Sequence, residues 1–146
     1  MNREEVTELE ARSKEAVISC PVFLASSILG KRWTILVLQA LMTPSAIEGL
    51  RFNEIHKTLD WISAKVLSGR LKELVSEGLV TREVNTEVTP PSVTYTLTEK
   101  GHDLQGVLTL MQEWGKKHGG SETKECLGPG FENCEGCTKK SESALP

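Results

Sequence analysis

Between residues 52 and 101 the sequence places two helix patterns in a row and then a strand pattern, and this order constrains the fold most. Phe52, Ile55 and Leu59 recur at helical spacing in the first segment. A turn of three residues follows, and Ser63 is then placed to cap a second helix, AKVLSGRLKELVSEG. The apolar residues of that helix form one stripe that is expected to face the core: Val66, Leu67, Leu71, Leu74 and Val75. Two helices joined in this way are predicted to form a helix-turn-helix.

The strand pattern begins directly after Gly78, which is expected to end the second helix. LVTREVNTEV and VTYTLT alternate with a period of two and are rich in β-branched residues. The pair Pro90-Pro91 lies between them and marks the tip of a β-hairpin. A hairpin in this position is the wing of a winged helix-turn-helix, so we predict a mainly α fold with a small β-hairpin, of the α+β class.

The segments on both sides of this unit are predicted to be mostly helical. Pro21 opens the helix VFLASSIL, and Gly30 ends it. KRWTILVLQALM is apolar on nearly all sides and is expected to be buried, whereas TPSAIEGL is predicted to be a loop. Thr98 caps a last helix, TEKGHDLQGVLTLMQEWGKKH. Residues 3–16 are predicted to form a polar helix, which is either an arm at a dimer interface or a frayed end.

The length and charge of the chain indicate one domain with two acidic ends. We divide the 146 residues into an N-terminal helical arm (1–17), a winged-helix domain (18–118) and a flexible tail with cysteines (119–146). The net charge is −2 in each end and +1 in the middle, so the near-neutral domain neither excludes nor supports binding to nucleic acid. No apolar run approaches the roughly 20 residues that span a bilayer, and the start does not resemble a secretory signal. We therefore expect a cytoplasmic protein that does not contact a membrane.

Six segments, taken in order, resemble the HxlR-type family of winged helix-turn-helix transcriptional regulators. They lie between about Cys20 and Trp114 and read CPV, GKRWTILVLQAL, RFNEIHKTL, WISAKVLSGRLKELVSEGLVTREV, PPSVTYTLTEKG and EWG. The resemblance implies a sequence-specific DNA-binding regulator that forms a homodimer through its terminal helices. It implies that both recognition helices meet a pseudo-palindromic site on double-stranded DNA. It also implies a sensor of electrophiles or oxidants at Cys20, which matches the sensing cysteine of several members.

The face of the second helix opposite its apolar stripe is expected to contact DNA. N-terminal residues of a recognition helix reach base edges, so the candidates for base contacts are Ser63, Ala64, Lys65 and Ser68. Gly69 would allow the backbone to approach the groove. Arg70 and Lys72 are candidates for phosphate contacts. On an isolated helix, basic residues in this pattern more often only point into solvent. The wing and the helix-turn-helix favour contact with DNA instead.

Further phosphate contacts are expected from residues that begin other helices and from the wing. Arg51 and Asn53 begin the first helix of the helix-turn-helix, and Lys31 opens the buried helix together with Arg32. Members of the family often carry a basic residue after the two prolines of the wing, where this chain has Ser92. Arg82 and Asn85 would then have to supply the contact from the wing.

Cys20 is the candidate redox residue of the predicted domain. It directly precedes Pro21 at a helix start, and a helix N-terminus favours a thiolate over a thiol. The alternative is a small buried hydrophobic residue.

The tail holds the other three cysteines, Cys126, Cys134 and Cys137, with spacing C-x7-C-x2-C. This spacing suits a redox disulfide, a zinc site or an iron–sulfur cluster with one open position, and the alternative is no role. A fourth metal ligand would come from Cys20, His118, a partner chain or an exogenous group. No cofactor is certain, and His56 and His102 are expected to be exposed or core residues rather than ligands.

Two other classes of function compete with gene regulation. Cys134 and Cys137 would serve a thiol–disulfide or electron-transfer module, although such pairs usually open a helix in a βαβ unit, which is not predicted here. A metal-binding interaction module would use its wing to contact protein. No Ser/His/Asp set, phosphate-binding loop or dinucleotide fingerprint occurs in the sequence, so we do not expect an enzyme.

Overall fold

A computed structural model describes residues 11–120 as a mainly helical chain with a small antiparallel sheet. Backbone contacts group these residues into two units, one up to Thr34 and one from Ile35 onward. The elements in chain order are α1 (Lys14–Ile18), α2 (Pro21–Leu29), α3 (Thr34–Leu41), a 3-10 turn (Pro44–Ala46), β1 (Leu50–Arg51), α4 (Phe52–Thr58), α5 (Ala64–Ser76), β2 (Val80–Asn85), β3 (Ser92–Leu97) and α6 (Glu99–His118). The predicted winged helix-turn-helix is confirmed, with α4 and α5 as its two helices and β2–β3 as its wing.

The core of the unit from Ile35 onward is built from the apolar faces of several elements. Every residue from Thr34 to Met42 is buried or half-buried, which confirms that α3 is a core helix. The largest fully buried side chains are Val37, Leu38, Ile55, Leu67, Leu71, Leu74, Leu79 and Val80. Each contributes about 1.5–3 kcal/mol of burial free energy, so together they stabilise the packing of α3, α4, α5 and the root of the wing in this unit.

The sheet has three strands in the order β1-β3-β2, with both pairings antiparallel. In the wing Val80 pairs with Leu97 and Asn85 pairs with Ser92. Strand β1 was not predicted, since TPSAIEGL was expected to be a loop throughout, and this expectation is wrong at Leu50. A strand of two residues is too short to show alternation. Gly49, at φ 97°, leads into β1, where a Cβ would lie 3.1 Å from side-chain atoms of β3.

The unit up to Thr34 contains α1 and α2. The prediction for α2 is confirmed, because Cys20 is its N-cap, Pro21 begins it and Gly30 ends it. The predicted helix over residues 3–16 falls mostly outside the described residues and is wrong at residues 11–13. Ser13 is extended there, and its hydroxyl accepts a hydrogen bond from the Ala16 N–H at 3.2 Å. The chain therefore uses Ser13 as a cap rather than as a helical residue.

The start of α3 also differs from its prediction. Lys31 and Arg32 do not open the buried helix, because α3 begins at Thr34. Trp33 has a left-handed backbone (φ 72°), which ends the turn before the helix and costs about 1–2 kcal/mol in a residue other than glycine. The Arg32 guanidinium lies 4.4 Å from the centroid of the Trp33 ring, a cation–π contact that holds this turn.

The end of α5 is bonded to the start of α6. Gly78, at φ 74°, ends α5, and its carbonyl oxygen accepts a hydrogen bond from the Thr98 hydroxyl at 2.6 Å. The same hydroxyl accepts from the Gly101 N–H at 3.1 Å, so one side chain caps α6 and holds the end of α5. The Lys100 ammonium donates to the Glu77 carbonyl oxygen at 2.7 Å. We call this set of contacts the α5–α6 junction.

Among residues 11–120 no single helix is long and apolar enough to cross a membrane. Only α2 and α3 taken together reach the length and apolar composition of a membrane span, and the two are bent by 84°.

The junction predicts opposite effects for two substitutions in α6. A Cβ at Gly101 would overlap the Leu79 carbonyl oxygen, whereas a Cβ at Gly106 would meet no atom within 4 Å. We expect Gly101→Ala to lower the free energy of unfolding by about 1–3 kcal/mol. Gly106→Ala should raise it by up to about 1 kcal/mol, because alanine is the better helix former. Urea unfolding at one fixed protein concentration measures both, and equal effects would contradict the close packing at Gly101.

Candidate nucleic-acid interface

The first turn of α5 is a rigid, exposed end of the second helix. The Ser63 hydroxyl accepts a hydrogen bond from the Val66 N–H at 3.2 Å, so the predicted cap is confirmed. Ser63, Ala64 and Lys65 are exposed, and Ser68, one turn later, is half-buried. Three of the four residues predicted to contact bases therefore lie together on the surface, and the fourth lies beside them.

Val66 lies at the border of the buried face of α5 and is only partly covered, which corrects the predicted apolar stripe. Leu67, Leu71 and Leu74 are almost fully buried, whereas Val66 is 36% exposed. Successive residues of a helix are about 100° apart, and Val66 lies roughly 100° from the mean direction of the three leucines. The angle of Val66 on the helix therefore indicates partial exposure. The prediction that it is buried followed only from its apolar side chain and is wrong.

Lys65, Val66 and Gly69 share one edge of α5, which we call the exposed edge. Gly69 has no atom within 4 Å of the position that a Cβ would occupy, so the helix surface is flat there. A long cation, a short apolar side chain and bare backbone therefore lie next to one another. Lys65, predicted to contact bases, thus lies beside a flat stretch of helix that leaves space for another molecule.

Arg70 and Lys72 differ in their surroundings. Arg70 Nη1 lies 2.8 and 3.0 Å from the two carboxylate oxygens of Glu73, one turn along the same helix. Partly exposed pairs of this kind contribute about 0.5 kcal/mol, so Glu73 competes only weakly with a phosphate for the guanidinium. Lys72 is exposed on the far side of the helix from the buried leucines. Both remain candidates for phosphate contacts.

The start of α4 and the tip of the wing enclose an open cavity of about 410 Å³. Arg51 and Asn53 line it from α4, and Ser92 lines it from the wing together with the Thr89-Pro90-Pro91 tip. The structure thus brings two predicted phosphate contacts next to the position that departs from the family pattern. Sequence spacing did not predict this juxtaposition, because it depends on β1 pairing with β3.

The other predicted contact residues of the wing lie on β2. Arg82 is exposed. The Asn85 amide oxygen accepts a hydrogen bond from the Glu87 N–H at 2.9 Å, so Asn85 shapes the turn at the tip. Lys31 is exposed in the turn before α3, within the first unit.

The histidines of the helix-turn-helix and of α6 have no ligand geometry. His56 Nε2 lies 2.8 Å from the Ile62 carbonyl oxygen and therefore ties α4 to the turn before α5. His102 is exposed. Within residues 11–120 no group of three or more histidine, cysteine or acidic residues is placed to hold a metal ion.

The cysteines divide between the described and the undescribed parts of the chain. Cys20 is half-buried, caps α2 with its backbone, and carries a free thiol. The predicted redox or metal residues Cys126, Cys134 and Cys137 lie outside the described residues.

Helix α6 exposes an apolar face. Leu110 and Trp114 are each 68% exposed, and Val107 and Met111 join them on the same side at helical spacing. Exposed apolar patches of this kind mark surfaces that contact another protein.

Comparison with known proteins agrees with this geometry. The model of the family "HxlR-like helix-turn-helix" matches residues 28–123, about two thirds of the chain. The regulator YodB of Bacillus subtilis (strain 168) is 49% identical over 90 residues, which cover 62% of this chain and 76% of YodB. The structure of reduced YodB superposes with a TM-score of 0.59 at 44% identity and covers 68% of this chain and 94% of that one.

A second similar structure is the redox regulator HypR in its oxidized form, with a TM-score of 0.56 at 34% identity. It covers 68% of this chain and 97% of HypR. YodB has also been solved after diamide treatment and with bound quinone. The chain therefore belongs to the HxlR-like helix-turn-helix family and is a DNA-binding transcriptional regulator.

Proposed function

We propose that this member of the HxlR-like family binds a specific, pseudo-palindromic site on double-stranded DNA as a homodimer and responds to thiol oxidation. The observation that carries the DNA part is the capped first turn of α5, which exposes Ser63, Ala64 and Lys65. These N-terminal residues of the second helix are the ones that reach base edges in a helix-turn-helix. Lys65 is the residue that selects a base, since an ammonium can bind the O6 and N7 acceptors of guanine.

Five further basic residues and Asn53 hold the protein on the DNA backbone. Lys72 and Arg70 flank the groove from α5, Arg51 and Asn53 do so from α4, and Arg82 does so from the wing, with Lys31 as a further contact. These phosphate contacts set position and affinity but carry no sequence information of their own. Ser68, beside Lys65, belongs instead to the proposed base contacts of α5. Each basic residue that neutralises a phosphate adds to the dependence of binding on salt.

Two lysines of α5 provide a matched test of the distinction between base contacts and phosphate contacts. Gel shift with DNA from upstream of the protein's own gene, against unrelated DNA, measures specific and non-specific binding. We expect Lys65→Ala to weaken specific binding by about 5- to 150-fold and to change non-specific binding little. Lys72→Ala should weaken both alike and reduce the salt slope by about one.

Two results would contradict this proposal. An equal loss on both DNAs for Lys65→Ala would place Lys65 on a phosphate. The absence of any salt-dependent shift by the wild-type protein would refute DNA binding by α5.

The homodimer is proposed to form through the terminal helices. The support is the apolar face of α6, since Leu110 and Trp114 are too exposed for a surface that faces water alone. A two-fold dimer places two copies of α5 at half-sites about one helical turn of DNA apart, which explains the pseudo-palindrome.

A charge within this face is expected to separate the subunits. Leu110→Glu would bury an unpaired carboxylate at the interface and should raise the dimer dissociation constant at least tenfold. Glu113→Gln, also exposed on α6, is the control and should leave the constant near that of wild type. Analytical ultracentrifugation measures the constants, and circular dichroism checks the fold. A Leu110→Glu protein that sediments as wild type would contradict the α6 interface.

The thiol response is proposed to act through Cys20. The support is the free, half-buried thiol of Cys20 at the start of α2, and the similarity to YodB and to the redox regulator HypR. An oxidant such as diamide would take two electrons and two protons from Cys20 and a second thiol, which join in a disulfide. The second thiol comes from the tail (Cys126, Cys134 or Cys137) or from another copy of the chain.

Replacing cysteines separates these sources. Cys20→Ser should bind DNA as wild type when reduced, and its affinity should change less than twofold on treatment with diamide. Replacing Cys126, Cys134 and Cys137 together by serine should keep the wild-type response if the second thiol is Cys20 of another copy, and should abolish it if the second thiol lies in the tail. Gel shift with and without diamide measures both. An unchanged response in Cys20→Ser would move the sensing to the tail.

Tail chemistry is the second candidate function, favoured only by the spacing of Cys134 and Cys137. A thiol–disulfide module would reduce a disulfide substrate, and a zinc or iron–sulfur site would retain metal after purification. Neither is needed for the proposal above, which also places the protein in the cytoplasm without a membrane partner and assigns it no catalysis.

A further inference from the structure

We propose that Val66 reads thymine in the DNA site by contact with the C5 methyl group of the base. This inference rests on the proposed function, because it needs α5 to enter the major groove. Val66 lies outside the buried leucines of α5 and shares the exposed edge with Lys65. The sequence predicted Val66 to be a core residue, so Val66 is not among the residues predicted to contact DNA.

The exposed edge presents the methyl groups of Val66 in a fixed position. Its backbone N–H is bonded to the Ser63 hydroxyl, which holds the first turn of α5 in place. In a helix the β-branched side chain of valine has one strongly preferred rotamer. The side chain therefore loses little conformational entropy when a base packs against it.

Gly69 provides the second observation. It lies three residues after Val66, on the same edge, and no atom lies within 4 Å of a Cβ placed there. The groove floor can thus approach the helix backbone beside Val66 without a clash. A shallow, partly apolar surface of this kind suits an apolar group on the base edge rather than a polar one.

The chemistry of the major groove identifies that group. Thymine carries a methyl group on the edge that faces the major groove, and short apolar side chains contact it in known complexes. The other groups on that edge of the base pairs are donors and acceptors, which Lys65 can engage and valine cannot. The exposed edge therefore specifies a thymine beside a base pair that offers acceptors to Lys65.

Replacement of thymine by deoxyuridine tests this directly, because the two bases differ only in the methyl group. The reduced wild-type protein first selects duplexes from a random-sequence pool. Each thymine of the selected site is then replaced by deoxyuridine, and affinities are measured by gel shift. We expect about fourfold weaker binding at one thymine of each half-site, the effect of removing one buried methyl group.

Val66→Ala should bind the thymine and deoxyuridine duplexes equally, at about the affinity of wild type for deoxyuridine. Alanine is the better helix former, so the variant is expected to fold. Ile47→Ala, an exposed apolar residue outside α5, is the control and should keep the full difference.

The outcomes distinguish this inference from the function on which it rests. A selected site without a thymine at which deoxyuridine weakens binding would overturn the inference, as would a Val66→Ala protein that still discriminates between the two bases. Both results would leave sequence-specific binding intact. Failure of the wild-type protein to enrich any sequence from the pool would refute the proposed function and the inference together.

Discussion

The hydrogen bonds of Thr98 are the constraint on which the arrangement of α5, the wing and α6 depends. Its hydroxyl donates to the Gly78 carbonyl oxygen, just after the end of α5, and accepts from the Gly101 N–H in the first turn of α6. Helix ends leave backbone groups without partners, and here one side chain satisfies a group at each of two ends. Because Gly101 also packs on the Leu79 carbonyl, α6 meets the backbone between α5 and β2 without an intervening side chain. The helix proposed to contact DNA and the helix proposed to form the dimer therefore meet at the α5–α6 junction.

The α5–α6 junction links the proposed DNA contact of α5 to the proposed dimer contact of α6. A homodimer that forms on Leu110 and Trp114 sets the position of α6, and α6 in turn sets the position of α5. Small interfaces and packed cores change between discrete arrangements rather than deforming continuously. A change at the subunit interface would thus alter the spacing between two copies of α5 and with it the fit to two half-sites.

Periodicity and capping residues predicted most of the fold, and the errors have local physical causes. Helix α5 and the wing were predicted because their spacing extends over many residues and Ser63 supplies a clear start. Strand β1 was missed because two residues carry no period. The start of α3 was predicted at Lys31 rather than at Thr34. A left-handed backbone is uncommon in residues other than glycine, so the sequence does not indicate one at Trp33.

The parts of the candidate site that lie on one helix could be predicted from the sequence. The part that forms where two segments meet could not. Exposure of Lys65 follows from its angle on α5, and the same angle would have placed Val66 at the surface. The cavity between Arg51 and the wing tip depends on how strands pair, which residue spacing in one segment does not encode. Tertiary pairing is therefore the information that the sequence patterns lacked.

The empty space around Gly69 has a consequence for how such regulators diverge. No atom lies within 4 Å of a Cβ placed at Gly69, and substitutions at surface positions of this kind usually change stability by no more than about 0.5 kcal/mol. A duplicated gene can then exchange Gly69 for other residues while the protein still folds. New operator preferences can evolve on a constant scaffold, without compensating changes in its core.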